Sequence, residues 1–434
     1  MASPYNVGLV GFGNVGTGLV RALAANRDLI DARVPHPIRI VRIADRDTQT
    51  PRNAPFDPAI LTADTDDLLA DPGIQAVIEL TGTIDFARDL VARALAGGKH
   101  VVTANKALIA THGAELLRIA VEHNTCLLFE AAVGGGIPII RTLHQGVAGN
   151  DITAIRGIIN GTANYILTCM DEEGLDFETA LRQAQDLGYA EPDPTFDVEG
   201  IDTAHKIVIL ASLAFGQRIR VEDVWVEGIR RIHPLDIAYG RELGYVIKLL
   251  GIAKRLPDGS VEVRVHPTLL PEQRSLASVN GVLNAIRVDG NLTGPIVLSG
   301  RGAGPEPTAS AILSDLMALS SAEAEGGLGR EMRLCVPRQA TRIRPIARLK
   351  SRYYLRFGLQ DVPGALAQVL TTLGRHGVSV ASMEQPAEHP GEFAHVLILT
   401  HETVEANVQA ALAEVVNLPV NRAEPFLLRM EGMD

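Results

Sequence analysis

The sequence predicts an α/β protein with three domains, and three patterns along its 434 residues support this prediction. In residues 1–140, short apolar strands alternate with amphipathic helices, which is typical of a doubly wound parallel sheet. Residues 141–320 combine long helices with later strands, which indicates an α+β domain with a mixed sheet. Residues 351–434 follow the order strand, helix, strand, strand, helix, strand, which predicts a ferredoxin-like βαββαβ domain.

Each strand predicted in the first domain ends at a polar or glycine-rich turn. These strands cover residues 7–10, 38–43, 76–80, 99–103 and 125–129. Helices are predicted at residues 19–25 and 86–95. Because ligands of doubly wound sheets bind beyond the carboxyl ends of the strands, these turns are the candidate binding sites.

The other two domains have less regular patterns. In the second domain we expect strands at 154–159, 261–265, 284–288 and 296–299, and helices at 162–170, 177–187, 198–215 and 308–320, the last returning to the first domain. In the third domain we expect strands at 353–359, 378–383, 393–400 and 425–430, and helices at 364–375 and 404–416. The Arg-rich residues 321–350 are predicted to be a linker whose charge faces solvent or docks on an acidic neighbour.

Composition and charge exclude several classes of protein. Hydrophobic residues make up 46% of the chain, charged residues 21%, and the formal net charge is −11. This charge argues against nucleic acid as a partner, because phosphates are bound by basic surfaces. No apolar run approaches the ~20 residues that span a bilayer, and the chain opens on a strand without a leader pattern. We therefore expect a cytoplasmic protein without a membrane partner, with reduced thiols at Cys126, Cys169 and Cys335.

A glycine-rich turn follows the first strand and opens the first helix. It reads G-F-G-N-V-G and consists of Gly11, Phe12, Gly13, Asn14, Val15 and Gly16. In this position the motif is the Rossmann fingerprint, because its glycines permit a tight turn and let the backbone approach a pyrophosphate. The N–H groups at the helix N-terminus bind the phosphates. The sequence therefore predicts NAD or NADP as the cofactor.

Two adjacent residues at the end of the second strand leave the cofactor preference open. Asp45 would bind a ribose 2′-hydroxyl and favour NAD, whereas Arg46 would bind a 2′-phosphate and favour NADP. We expect both cofactors to be accepted, with NADP favoured. The turn after the third strand adds Thr81 and Gly82 to the predicted cofactor site.

A second polar block precedes the long apolar helix of the second domain. Residues 189–206 read Y-A-E-P-D-P-T-F-D-V-E-G-I-D-T-A-H-K and pack carboxylates around two prolines. Asp202 and Lys206 are four residues apart and share one face of the helix. They form either an exposed ion pair of little energetic value or a buried lysine suited to proton transfer.

Together these segments resemble homoserine dehydrogenases along the whole chain. The matching stretches are G-F-G-N-V-G, T-A-N-K-A-L, E-A-A-V-G-G-G-I-P, I-I-N-G-T-A-N-Y-I-L, L-G-Y-A-E-P-D-P, G-I-D-T-A-H-K and G-A-G-P-E-P-T-A-S-A. The resemblance implies NAD(P)-dependent interconversion of L-homoserine and L-aspartate 4-semialdehyde, in the biosynthesis of threonine, methionine and isoleucine. It also implies a homodimer or homotetramer.

The resemblance further implies roles for individual residues. Lys206 would donate the proton to the substrate oxygen and accept it in the reverse direction. Lys106 would be a second lysine at the reacting centre and would also bind the cofactor. Glu191 would bind the substrate ammonium, while Asp197 and Asp202 would shape and charge the pocket. The other implied substrate positions are Asn160, Gly161, Thr162 and Gly188, and the remaining implied cofactor position is Gly302. From its place after a strand, Thr162 is the expected N-cap of the helix at 162–170.

The segment E-A-A-V-G-G-G-I after the fifth strand resembles the monovalent-cation loop of the same family. Glu130 and the carbonyls of Val133, Gly135 and Ile137 would surround a sodium-like ion with hard oxygen ligands. The residues alone are poor evidence for a metal ion and favour a plain glycine-rich turn.

The motif D-V-P-G-A-L at residues 361–366 resembles the ACT domain. ACT domains pair with copies of themselves and bind amino acids at the resulting interface, so the resemblance implies regulation, with threonine as the expected effector. The catalytic region is expected to be complete without residues 351–434.

Two alternatives to this function stay open. One is another Rossmann dehydrogenase that acts on an amino acid, such as an aspartate or saccharopine-type enzyme. The E-P-D-P block and the pair Lys106 and Lys206 argue against it. The other is a non-catalytic amino-acid sensor on this scaffold, which the intact glycine motif and both lysines disfavour.

Overall fold

The computed structural model of the protein describes residues 3–324, 339–386 and 394–432. Cys335, the middle of the predicted linker and the first residue of the strand predicted at 393–400 lie outside the described residues. Within these ranges, no helix is both long enough and apolar enough to cross a bilayer. Cys126 and Cys169 are buried in two separate hydrophobic clusters.

The first domain is a parallel sheet covered by helices, as predicted. Its strands are β1 Tyr5–Val10, β2 Ile38–Ala44, β3 Leu61–Thr62, β4 Ala76–Glu79, β5 His100–Thr103 and β6 Leu127–Leu128. Its helices are α1 Asn14–Ala25, α2 Arg27–Asp31, α3 Thr65–Ala70, α4 Asp85–Ala96 and α5 Lys106–Glu122. The strand order is β3-β2-β1-β4-β5-β6, so the order reverses between β1 and β4. A crevice for a ligand forms at the carboxyl ends of these two strands.

The second domain combines a mixed sheet with seven helices in the described part of the chain. Its strands are β7 Ile152–Ile158, β8 Gln217–Arg218, β9 Trp225–Val226, β10 Tyr245–Arg255, β11 Val261–Pro271, β12 Leu283–Gly290 and β13 Gly294–Arg301. Its helices are α6 Ile139–Arg141, α7 Gly161–Glu173, α8 Phe177–Asp186, α9 Thr195–Val198, α10 Ile201–Phe215, α11 Pro234–Glu242 and α12 Pro305–Ala324. As expected, α12 returns to the first domain, where Ile312 and Leu316 share a core cluster with Leu19 of α1.

The helix predicted at residues 198–215 ends at Phe215 as predicted but begins three residues later than predicted. α9 ends at Val198 and α10 begins at Ile201. Gly200 lies between them with φ +81°, a left-handed conformation that L side chains rarely adopt. A Cβ at this position would also lie 2.9 Å from Val265 Cγ1. The turn therefore requires glycine, and it fixes where α10 begins.

Strand β10 was not expected from the sequence. Its eleven residues pair antiparallel with β11, from Tyr245 opposite Pro271 to Arg255 opposite Val261. The segment is nearly continuously apolar, interrupted by Lys248 and Lys254. Such a run fits a buried helix as well as a buried strand, so periodicity does not distinguish them.

The C-terminal domain has the predicted βαββαβ order. Its main elements are β16 Tyr353–Leu359, α13 Ala365–Arg375, β17 Val380–Glu384, β18 Ala394–Thr400, α14 Glu405–Val415 and β20 Asn421–Met430. Three short strands accompany them: β14 Gln339–Ala340, β15 Lys350–Ser351 and β19 Thr403–Val404.

The sheets of the second and third domains are continuous. The strand order is β13-β12-β7-β10-β11-β20-β16-β18-β17, and β9 also pairs with β11. The junction is parallel, with Thr268 opposite Arg429 and Leu269 opposite Met430. β20 thus pairs with part of the edge of β11, and the expectation that the catalytic region is complete without residues 351–434 stays a prediction.

The described part of the predicted linker docks on the second domain. β14 pairs with β8, and the amide of Val261 donates to the Arg342 carbonyl at 3.0 Å. The guanidinium of Arg344 lies 3.3 Å from Asp258. The arginines of this segment were expected either to face solvent or to dock on an acidic neighbour. Arg344 docks on an acidic neighbour.

Candidate active site

An ion-pair cluster lies where the first and second domains meet. Asp202, in the first turn of α10, places its two carboxylate oxygens 2.7 Å from Lys106 Nζ and 2.7 Å from Lys206 Nζ. The Asp202 side chain is only 3% exposed. Burial raises the pKa of this carboxyl, but the two ammonium groups outweigh burial and hold the pKa well below its usual range. Asp202 is therefore a buried carboxylate shared by lysines from two domains.

Lys206 has two of its three N–H donors engaged. One donates to Asp202 Oδ2 and another to the Ile159 carbonyl, each at 2.7 Å. The Lys206 side chain is 10% exposed, so the possibility of an exposed surface pair is wrong. An ammonium group has three donors, and the described residues provide acceptors for two of them. The third N–H can donate to a bound oxygen.

Asn160 connects the cluster to the turn before α10. Its amide nitrogen donates to Asp197 Oδ1 at 2.7 Å and to Asp202 Oδ2 at 2.9 Å. Its amide oxygen accepts from the Ala163 amide, so Asn160 is the N-cap of α7. The prediction of Thr162 as the N-cap is wrong, because its hydroxyl donates to the Tyr189 carbonyl at 2.6 Å. Burial raises the pKa of the Asp197 carboxyl, and the Asn160 bond partly offsets this.

The other predicted substrate residues lie on two turns beside the cluster. Glu191 is exposed, and the described structure gives its carboxylate no hydrogen-bond partner, although its carbonyl accepts from Gln185 Nε2 at 3.1 Å. Gly188 lies three residues before it, after α8. A Cβ at Gly161 would lie 2.9 Å from the Val282 carbonyl oxygen, so Gly161 packs against the segment before β12. Neither Glu191 nor Gly188 hydrogen bonds to the lysine cluster.

An aromatic residue that the sequence analysis missed contacts the cluster. The centroid of the Phe196 ring lies 5.6 Å from Lys106 Nζ, within cation–π distance. The same ring packs edge-on against His205, with centroids 5.4 Å apart. Burial lowers the pKa of His205. No motif identifies Phe196, because a single aromatic residue in a turn indicates no chemistry by itself.

The glycine turn has the geometry that a dinucleotide requires. Gly11 has φ +98°, and a Cβ there would lie 2.6 Å from the Leu80 carbonyl oxygen. Gly13 is the N-cap of α1, and a Cβ there would meet nothing within 4 Å. A cavity of about 380 Å³ opens beside these glycines, lined among others by Asp45, Arg46 and Thr81. The residues present therefore fit a nicotinamide dinucleotide, with helix α1 directed at its phosphates.

The side chain of Asp45 is held by contacts within the protein, whereas the side chain of Arg46 is exposed. The Asp45 carboxylate accepts hydrogen bonds from the backbone amides of Phe12 at 2.5 Å and Asp47 at 2.9 Å. Arg52, which the sequence analysis missed, lies 3.8 Å from the same carboxylate and above the Phe12 ring. Arg46 is exposed and has no ion pair within the described residues. Arg46 is thus available to an anion, whereas Asp45 already holds the glycine turn.

Glu79 is another residue of this crevice that the sequence analysis missed. Its side chain is fully buried at the end of β4. It accepts from the amide of Thr81 at 2.7 Å and from the hydroxyl of Thr103 at 2.6 Å. Glu79 therefore fixes the turn that contains Thr81 and Gly82 against the end of β5. A carboxylate inside an apolar strand forms no recognisable motif.

The carboxylate of Glu130 accepts hydrogen bonds from backbone amides. Its oxygens accept from the amides of Ile140 and Arg141, each at 2.8 Å. No group of three or more His, Cys, Asp or Glu side chains among the described residues could hold a metal ion. An ion at loop 133–137 would therefore depend on backbone carbonyl oxygens.

Gly302 brings the start of α12 close to loop 133–137. A Cβ at Gly302 would lie 1.9 Å from Asn284 Nδ2, and one at Gly135 would lie 2.7 Å from the Gly302 carbonyl carbon. A Cβ at Gly18 of α1 would lie 2.7 Å from Pro305. Residues 302–305 therefore approach the first domain next to the helix that follows the glycine turn.

A dinucleotide-binding sheet with a buried lysine–carboxylate cluster at its domain boundary defines a nicotinamide-dependent oxidoreductase. The family described as "Homoserine dehydrogenase, NAD binding domain" matches residues 11–130, and "Homoserine dehydrogenase" matches residues 138–317. The ACT domain matches residues 353–420. The chain belongs to the homoserine dehydrogenase family and carries a C-terminal ACT domain.

Individual relatives agree with this assignment. The homoserine dehydrogenase of Pseudomonas aeruginosa is 43% identical over 435 residues, which cover 99% of this chain and 100% of the relative. A crystal structure of a homoserine dehydrogenase from Thiobacillus denitrificans has a TM-score of 0.90 and 42% identity, covering 99% and 98% of the two chains. A hyperthermophilic archaeal homoserine dehydrogenase in complex with NADPH has a TM-score of 0.62 and 27% identity. It covers 75% of this chain and 100% of that one.

Proposed function

We propose that this enzyme interconverts L-homoserine and L-aspartate 4-semialdehyde at the cluster formed by Lys106, Asp202 and Lys206. The observation that carries the proposal is the position of Asp202 between the two ammonium groups, 2.7 Å from each. Reduction of an aldehyde requires a hydride on carbon and a proton on the developing alkoxide. A buried ammonium group supplies both this proton and stabilisation of the negative charge.

Lys206 is the proposed proton donor and acceptor. The bound nicotinamide cofactor supplies the hydride in the direction of reduction and accepts it in the direction of oxidation. With two of its N–H groups held by Asp202 and the Ile159 carbonyl, Lys206 directs the third at the substrate oxygen. In oxidation the same nitrogen starts as a neutral amine and takes the hydroxyl proton. Lys106 adds a second positive charge at the same carboxylate and contacts the cofactor.

Glu191 is the proposed partner of the substrate ammonium. Its carboxylate is exposed and without a hydrogen-bond partner in the described structure, which suits a ligand-binding role. Asp197 and Asn160 form the neighbouring wall of the substrate pocket through their 2.7 Å bond. Gly161, Thr162 and Gly188 complete the proposed substrate site through their backbones.

We propose that NADP is favoured over NAD. Support comes from Arg46, which is free to pair with a 2′-phosphate, and from Asp45, whose carboxylate already accepts two backbone N–H groups. The glycine turn and residues Thr81, Gly82 and Gly302 would line the rest of the cofactor. A sodium-like ion at Glu130, Val133, Gly135 and Ile137 is also part of the proposal. Backbone carbonyl oxygens would hold this ion.

The ACT domain gives the enzyme a place for amino-acid regulation. We propose threonine as the effector, since the reaction lies in the biosynthesis of threonine, methionine and isoleucine. A homodimer or homotetramer and a cytoplasmic location belong to the same proposal.

Oxidation of homoserine, followed at 340 nm with NADP and NAD in parallel, tests the proposed function. We expect both cofactors to be reduced, and aspartate and saccharopine to be inactive as substrates. Activity on one of those amino acids instead would favour another Rossmann dehydrogenase. Binding of amino acids without any reduction of cofactor would favour a non-catalytic sensor.

A further inference from the structure

A buried arginine of the ACT domain binds a carboxylate of the catalytic domain. Arg429, on β20, donates to the two oxygens of Glu227 at 2.6 and 3.0 Å. It also donates to the two oxygens of Glu405, the first residue of α14, at 2.9 and 2.6 Å. Arg429 is 2% exposed and Glu405 is 1% exposed. Because paired guanidinium–carboxylate bonds fix direction as well as distance, Glu227 is held in one orientation by the ACT domain.

Glu227 belongs to the segment that supports the turn before α10. Its amide donates to the Val265 carbonyl at 2.8 Å, and the Ile229 amide donates to the Val198 carbonyl at 2.9 Å. A Cβ at Gly228 would lie 2.5 Å from that Val198 oxygen. The backbones of segments 226–229 and 197–200 therefore touch without an intervening side chain. Displacement of one segment must displace the other.

The supported turn carries part of the substrate pocket. Asp197, its first residue, bonds to Asn160, and Asn160 bonds to Asp202. The carbonyl of Gly200 accepts the amide of Ala204 at 3.0 Å, so this turn also sets the start of α10. The position of Asp202, and through it that of both lysines, depends on the turn.

We propose that Glu227 is a positioning residue of the active site and that Arg429 of the ACT domain holds it in place. The inference rests on the function proposed above for Asp197 and Asp202. The contacts run from Glu405 through Arg429 and Glu227 to the turn at 197–200. The ACT domain thus has a non-covalent route to the active site that is independent of the linker.

The test compares two conservative variants at the same domain interface. Glu227→Gln keeps the size of the side chain and leaves Arg429 paired with Glu405. The control is Tyr354→Phe, which removes a buried 2.6 Å hydrogen bond from the ACT domain to Asp236 of α11, far along the chain from the turn. We expect Glu227→Gln to raise KM for homoserine about tenfold and to change KM for the cofactor less. Tyr354→Phe should keep the wild-type KM for homoserine and the wild-type KM for the cofactor.

A second readout is hydrogen exchange of residues 195–205 in the full-length protein. We expect faster exchange in Glu227→Gln than in Tyr354→Phe, and this measurement does not depend on the substrate. Equal kinetics and equal exchange in the two variants would overturn the inference. A wild-type enzyme that ignores homoserine would refute the proposed function, and hydrogen exchange would still decide whether Glu227 supports the turn.

Discussion

Lys106 and Lys206 lie in different domains, yet each places its ammonium nitrogen 2.7 Å from a separate oxygen of Asp202. Lys106 is the first residue of α5, and Lys206 lies in the second turn of α10. One carboxylate therefore joins the NAD-binding domain to the second domain. Because both lysines share it, replacing either one changes the electrostatic environment of the other.

Lys206→Ala is expected to lower kcat at least ~100-fold, the range for a lost general acid or base. The variant removes the N–H that would meet the substrate oxygen. Thermal unfolding should show that the protein stays folded, and steady-state assays in both directions give kcat. If folded Lys206→Ala keeps its activity while Lys106→Ala loses it, the roles of the two lysines are exchanged.

Glu191→Gln should act mainly on KM for homoserine, with a rise of about tenfold. A carboxylate that faces the substrate ammonium binds the ground state and the transition state alike, so kcat should change little. Saturation curves for homoserine and for the cofactor separate the two effects. An unchanged KM with a collapsed kcat would place Glu191 in the chemistry instead.

Arg46→Ala should weaken NADP far more than NAD, because only NADP presents a 2′-phosphate for guanidinium pairing. Arg52→Ala is the matched control. Its guanidinium donates to the carbonyls of Thr50 and Asp47, each at 3.0 Å, so its loss should disturb loop 45–52 and affect both cofactors alike. If Arg46→Ala weakens the binding of NADP and of NAD equally, Arg46 lies away from the ribose.

Glu431→Gln tests the charge cluster at the junction of the ACT and catalytic domains. Glu431 contacts Lys254 and lies 3.1 Å from Arg156 and 3.0 Å from Arg264. Burial raises the pKa of Glu431, but the three cations outweigh burial and lower it to about 2 from the usual 4.5. The ionised carboxylate therefore stabilises the fold above about pH 4.5, and this contribution is lost as the pH falls towards 2.

At pH 7 the free energy of unfolding of Glu431→Gln should fall by roughly 3–5 kcal/mol, because the buried Arg156 and Arg264 and the partly buried Lys254 lose the carboxylate that they share. Differential scanning fluorimetry of wild type and variant between pH 3 and 8 measures this. The gap in Tm should be constant above about pH 5 and shrink below pH 4.5. A gap that widens in acid would contradict the assignment of Glu431 as the ionised partner.

Millimolar threonine is expected to inhibit the full-length enzyme through residues 351–434. Inhibition requires threonine to bind two global states with different affinity. Gly364→Ala, at the turn before α13, should reduce inhibition without changing KM for homoserine. A full-length enzyme that ignores threonine would show that the ACT domain serves assembly or binds another amino acid.

Truncation near Lys350 should remove the threonine response and also destabilise the catalytic region. Asp236 is fully buried and accepts from Tyr354 at 2.6 Å and from Arg356 at 2.7 Å, and truncation removes both donors. Breaking the Arg356–Asp236 ion pair on one side costs roughly 3–5 kcal/mol where Asp236 stays buried. A truncated enzyme as thermostable as the full chain would show that the domain boundary relaxes around these charges.

The parts of the site that local sequence spacing determines were predictable. The glycine turn, and the pairing of Asp202 with Lys206 on one helix face, follow from positions within one motif. The resemblance implied that Lys106 and Asp202 share one site, but their pairing was not predicted, since the two residues are distant in the chain. Glu79 and Phe196 were missed because their partners are brought to them only by the packed fold.

The continuous sheet could not be predicted either. The βαββαβ order identifies the ACT domain from local periodicity, but β20 pairs with β11 through Thr268 and Arg429, far apart in the sequence. Strand pairing depends on which edges meet after the domains pack, and periodicity has no information on that. The later start of α10, after Gly200, has the same origin, because Val265 and Val226 leave no space for a side chain at Gly200.

The late position of β20 in the chain has a consequence for biosynthesis. Arg429 is translated about 160 residues after its partner Thr268, an interval of roughly 10–30 s at ordinary rates of elongation. Until then Thr268 and Leu269 on the edge of β11 lack their partner strand, and Arg156, Lys254 and Arg264 lack Glu431. Unpaired strand edges recruit other chains. We therefore expect the yield of folded enzyme to depend on how well that edge is protected during synthesis.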